Sequence, residues 1–307
     1  MRLVCHRPLR PVARPGLGRG PGPDSGRRPI GRLLGIGLVV GLLGCKDGEG
    51  PKAGVDPTVG MVRLSLEPFA VGCTPRAGIC MEEESPSPEV DLSYDLFVDE
   101  REVLAEDYFE RLRYDPAEGA ACLGGDCPVF GLTWHEAARY ANARSAEADL
   151  PECYVCEGLG AEVSCARPVE NVGCAGLRLP TEWEWEGAAR CGEDAQYAGG
   201  DDILALGYTL DGNASGALPA AGGQLQANAC GLLDLSGNVA EWTDTYFAPY
   251  PEGPLTDPEG PDDGDLRVVR GGSFDARSAE ARVAARGLAR DGDQRLGLGL
   301  RLVLTAD

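Results

Sequence analysis

The sequence predicts one α+β domain, rich in loops and stapled by disulfides. Three observations carry this. Stretches of alternating apolar and polar residues are short and stand apart from equally short helical stretches. Glycine (44) and proline (23) are frequent enough to keep helices few and irregular connections many. Beyond residue 60 there is neither an internal repeat nor a linker, while ten cysteines, an even number, follow a leader of export type.

The leader comes first. Residues 1–44 carry eight Arg and a single acid, Asp24, and 31–44 form an apolar run behind that basic flank. The run is too short to span a bilayer and fits a signal peptide. It ends in Leu42-Leu43-Gly44-Cys45, which looks like a lipobox, so Cys45 is the expected lipidation site of an envelope lipoprotein, anchored on the periplasmic or cell-surface side. Residues 45–60 read as a flexible tether, with the domain over 61–305. From Cys45 onward the net charge is −28, against −21 for the whole chain. Such a body repels nucleic acid and anionic lipid, which leaves the anchor as the only membrane contact. A monomer is expected.

Within the domain, 61–71 and 90–98 alternate as half-buried strands do. Asp99 to Leu112 reads as a helix with Val103, Leu104, Tyr108 and Leu112 on one face. Thr133 and Glu136 have the spacing of a capping box and open a second helix over 133–148. His135, the only histidine after the leader, falls in its first turn and reads as a helix residue, so a Ser-His-Asp triad built elsewhere and any multi-His metal site are excluded. Thr181 and Glu184 cap a third helix ending near Arg190. Arg178 sits before it among apolar neighbours and needs a partner, for which Glu182 and Glu186 are candidates. Residues 191–227 read as a surface loop with one short strand, 244–265 and 287–293 as loops, 266–269 as a strand and 296–304 as a final strand.

Cys73 with Cys80, and Cys122 with Cys127, are close enough to close small loops; Cys191 and Cys230 are left as a long-range pair. Cys153, Cys156, Cys165 and Cys174 allow three pairings, with zinc as the rival reading. Asn238 and Glu241 place side-chain oxygens three residues apart at a turn. Carbonyls near Gly237 and Val239 are available to complete a calcium cage. Arg270-Gly271-Gly272-Ser273-Phe274 is a strand end running into a glycine turn that carries an Arg and a hydroxyl.

LRLPTEWEWEGAAR, NACGLLDLSGNVAEW, RVVRGGSFD and GLRLV occur in the order seen in the formylglycine-generating enzyme family, the sulfatase-modifying factors, which this chain resembles over about 61–305. PVFGLTWHEAARYAN is similar to another segment of that family, and Glu102-Val103-Leu104 stands where EVT is common. The resemblance implies a compact C-type-lectin-like fold and a calcium site at Gly237, Asn238, Val239 and Glu241. The family's characterised activity uses copper on two thiols just after the glycine turn to oxidise a sulfatase cysteine. Here 275–281 holds no cysteine, and none follows Cys230, so copper is not expected. Ala240 and Leu300 replace aromatic residues common in the family. The expected function is therefore non-catalytic binding of a peptide or envelope component through a cleft at Arg270, Ser273, Phe274 and Asp275. The competing reading is an enzyme on the same fold: an oxidoreductase of the formylglycine-generating type, or one of altered chemistry.

Overall fold

A computed structural model describes residues 55–117, 122, 126–167, 172–213 and 218–306. The leader, Cys45 and tether residues 45–54 lie outside the described residues.

The predicted strands are present but shorter. The 61–71 stretch divides into β1 (Met61–Leu64) and β2 (Phe69–Ala70), with Pro68 between them. The 90–98 stretch divides into β3 (Glu89–Asp91) and β4 (Leu96–Asp99). The first helix, α1 (Ala105–Leu112), begins later than its periodicity suggested, because Asp99–Leu104 runs extended and Val103 exchanges backbone hydrogen bonds with Leu300 and Val129. Helices α2 (Trp134–Glu147) and α3 (Glu182–Arg190) start at the two predicted capping boxes. The loop 191–227 holds a short helix, α4 (Ile203–Leu206), capped by Asp202, where a strand was expected. The remaining strands are β5 (Val155–Glu157), β6 (Ser164–Ala166), β7 (Ala240–Tyr246), β8 (Leu255–Thr256), β9 (Arg267–Arg270), β10 (Gly287–Ala289), β11 (Leu298–Gly299) and β12 (Val303–Thr305). Strand β10 falls in a predicted loop, and β11 and β12 divide the predicted last strand.

Four small sheets result, in the orders β1-β4-β12, β10-β9-β7-β11, β2-β3-β8 and β5-β6. One apolar core, around Trp134, Tyr140, Trp242 and Leu302, packs α2 on the four-stranded sheet. A second, around Trp183, Trp185, Val98 and Val303, surrounds α3. All nine residues of α3 are buried. Gly187 is needed there, since a Cβ would stand 2.5 Å from the Phe69 ring.

All ten domain cysteines are oxidised. The pairs 73–80, 122–127 and 191–230 form as expected, and the cluster resolves into 153–174 and 156–165, the latter bridging the β5-β6 hairpin. Their sulfurs are thus closed to zinc.

Candidate functional site

Helix α3 reads EWEWE at its start. Alternate residues of a helix point about 200° apart and residues four apart share a face, so Glu182 and Glu186 leave on one side, both within reach of Arg270, and Glu184 on the other. Each meets a buried arginine. Glu182 takes a bidentate pair from Arg286 (2.8 and 2.7 Å). Glu184 takes one from Arg178 (2.7 and 2.6 Å), so the partner of Arg178 is neither of the two first considered. Glu186 binds Arg190 and Arg270 (2.7 and 2.6 Å). Burial alone would raise the Glu184 and Glu186 carboxyls, but the guanidiniums outweigh it and hold both below the usual range.

Arg270 is wholly enclosed. Beyond Glu186 it donates to the Val283 and Ala285 carbonyls and to Tyr250 Oη. Phe274 is 2 % exposed, packed under the turn. These two expected cleft residues therefore support the turn from beneath. The glycines allow the reversal: Gly271 and Gly272 sit at φ +89° and +66°. A Cβ on Gly272 would lie 2.8 Å from the backbone of Glu280 and Ala281.

Asp275 is exposed, and Ser273, though buried, borders the same cleft, which Arg270 and Phe274 do not. Ser273 and Asp275 line this cleft, of about 520 Å³, together with Glu84, Glu280, Arg282 and Arg286. Ser273 Oγ donates to Asp275 Oδ1 at 2.6 Å. Gly297 closes in on this pair; a Cβ there would meet both oxygens within 2.7 Å. Arg282 is paired bidentately with Glu84 (2.6 and 3.0 Å), and Arg286 with Glu182. The floor is therefore neutralised. At the mouth stand Glu83, Asp275 and Glu280, opposite Arg295, whose charge is met by Asp293. Apolar Met81, Leu288 and Leu298 complete the walls. The sequence reading missed Glu84, Arg282 and Arg286, because their partners lie 104 residues away or more. The repeated Arg spacing in 270–286 was the available clue.

The side-chain oxygens of the expected calcium set, Asn238 and Glu241, already meet protein donors. Glu241 spends both oxygens on Arg301 (2.8–3.0 Å) and on Trp185 Nε1 (2.6 Å). Asn238 Oδ1 accepts from Ala220 N, and its amide donates to Glu102 Oε2. Glu102 also accepts from Val239 N. These N–H donors occupy the oxygens that a cation would need. Among the described residues no three of His, Cys, Asp and Glu gather as a metal site. One oxygen nearby is free: Asp234 Oδ1 is buried without a hydrogen-bond partner. His135 is a first-turn residue of α2, as expected, and its Nδ1 accepts from Cys165 N.

This fold and this turn define a class. The chain belongs to the sulfatase-modifying factor enzyme 1-like domain family, whose model matches residues 51–306. It is 39% identical over 151 residues to a formylglycine-generating enzyme of Streptomyces coelicolor, covering 43% of this chain and 48% of that protein. It is 27% identical over 188 residues to chaperone protein LppX of Paenibacillus barcinonensis, covering 52% and 65%. The chain thus spans less than two thirds of the length of either. Among solved structures, Treponema denticola variable protein 1 superimposes with a TM-score of 0.69 at 24% identity, over 80% of this chain and 95% of that one, which establishes the fold.

Proposed function

We propose that this protein is an envelope-anchored, non-catalytic member of its family that binds a peptide segment of another envelope component in the cleft at Ser273 and Asp275. The observation that carries this is the chemistry of the cleft. The stretch 275–281 has no thiol, and every domain cysteine is held in a disulfide. The guanidiniums of Arg282 and Arg286 are buried and neutralised, so they stiffen the walls rather than bind, and exposed Arg295 is met by Asp293. The cleft's open groups are the acidic Glu83, Asp275 and Glu280 beside apolar Met81 and Leu288, a surface suited to a segment with cationic and apolar side chains. The likeness to a protein named as a chaperone supports a binding role.

The test is photo-crosslinking in the native envelope from a probe at Ala279 on the cleft wall. A discrete protein adduct is expected, reduced by Asp275→Lys and Glu280→Lys. No adduct, or one indifferent to both substitutions, would sink the proposal. Identity to formylglycine-generating enzymes favours a second reading, an oxidoreductase. Conversion of a cysteine-containing sulfatase peptide to formylglycine by the purified chain would establish it. A calcium ion remains part of the proposal at the turn of Gly237, Asn238, Val239 and Glu241, with buried Asp234 Oδ1 nearby as an oxygen that has no hydrogen-bond partner. A fall in Tm on chelation that Asp234→Asn abolishes is the check.

A further inference from the structure

A second cavity, of about 170 Å³, lies between α1, α2 and the disulfide-bridged β5-β6 hairpin, and it concentrates unmet hydrogen bonding. Tyr108, Glu136 and Arg139 wall it. Each holds a buried polar atom without a partner: Tyr108 Oη, Glu136 Oε1 and Arg139 Nε. Tyr108 and Glu136 are 1 % and 2 % exposed. Glu136 Oε2 is used by the capping box, accepting from Thr133 N and Oγ1 at 2.7 and 2.9 Å, which leaves Oε1 over. Arg139 forms no ion pair with a described residue, although the body around it is strongly acidic. Glu136 and Arg139 are one turn apart on α2, yet they do not pair. Leu159, Gly160 and Val163 form the opposite wall.

A buried polar group left without a partner is destabilising, and three lining one space point to something that fills it. The volume holds about five water molecules at roughly 30 Å³ each, or one small organic molecule. The set is two-ended: a guanidinium that donates, a carboxylate oxygen that accepts, and a phenol that does either. We propose that the cavity binds a small carboxylic acid carrying an amino or hydroxyl group. Arg139 takes its carboxylate, and Glu136 and Tyr108 take its N–H or O–H donor. The apolar hairpin wall restricts its size. This site is independent of the cleft.

The test is calorimetry and thermal shift on the full chain with glycine, L-serine and glycolate as probes, and acetate and ethanolamine as one-ended controls. At least one two-ended probe should bind with Kd near 1 mM or tighter, about tenfold better than either control. Arg139→Gln and Glu136→Gln, the latter keeping a capping oxygen, should each weaken binding about tenfold. Leu159→Trp, at an exposed position of the wall, should block binding with Tm unchanged. Absence of binding by all three probes, equal binding of acetate, or binding unaltered by the α2 substitutions would overturn the assignment.

Discussion

The buried carboxylates of this protein fall into two groups by what stands beside them. Those of α3 face guanidiniums at hydrogen-bond distance. Glu184→Gln leaves Arg178 enclosed without a counter-charge but with an amide oxygen to donate to, and Arg178→Leu leaves Glu184 with neither. The second is expected to cost about 3–5 kcal/mol and the first less, read from urea unfolding. Asp244 is the contrasting case. It is fully buried, and Oδ2 has no hydrogen-bond partner. Arg267 approaches only to 3.4 Å and Arg167 to 3.9 Å. Burial outweighs both and pushes its carboxyl up to about 7. A carboxyl raised in the folded state holds a proton that the unfolded chain gives up. Its contribution is therefore full below about pH 4 and is lost as pH rises through 7, with a slope of at most about 1.4 kcal/mol per pH unit. Asp244→Asn should flatten the dependence of Tm on pH between 4 and 7; an unchanged profile would refute this.

At the scale of elements, the glycine turn and the hairpin carry the clearest expectations. Gly272→Ala places a methyl against the Glu280–Ala281 backbone at positive φ. It should cost more than about 1 kcal/mol by urea unfolding and distort the cleft beside it. Replacing Cys153 and Cys174 by Ser opens a link of sequence separation 21. About 3 kcal/mol of stability should go with it, read as a lowered urea midpoint. These elements also show what was legible from sequence. The capping boxes at Thr133 and Thr181 marked helix starts correctly, because a cap is a contact between residues three apart. Three of the five disulfides followed from proximity or elimination. The late start of α1 was not legible, since Asp99–Leu104 is held extended by Leu300, Leu302 and Val129, partners invisible to a local pattern. The inward turn of Arg270 was hidden for the same reason: its partners lie 13 to 84 residues away.

At the scale of the molecule, charge is sorted by depth. Seven arginines (Arg178, Arg190, Arg267, Arg270, Arg282, Arg286 and Arg301) are buried and paired with carboxylates, and much of the remaining acid stands at the surface. Encounter with a cationic partner should therefore slow as salt rises from about 0.05 to 0.5 M, where the screening length shrinks well below 10 Å. Association rates to the partner captured from the cleft would measure it, and a rate indifferent to salt would argue against electrostatic steering. The turn after Phe274 has a further consequence. Asp275 to Glu280 lie largely in the open, while Phe274 on one side and Ala281 on the other are sealed in the interior. A strip buried at both ends and exposed between them separates specificity from stability. On the proposed function, substitutions at the exposed Asp275 and Glu280 should change what is bound while the carboxylate–guanidinium pairs of α3 stand unaltered.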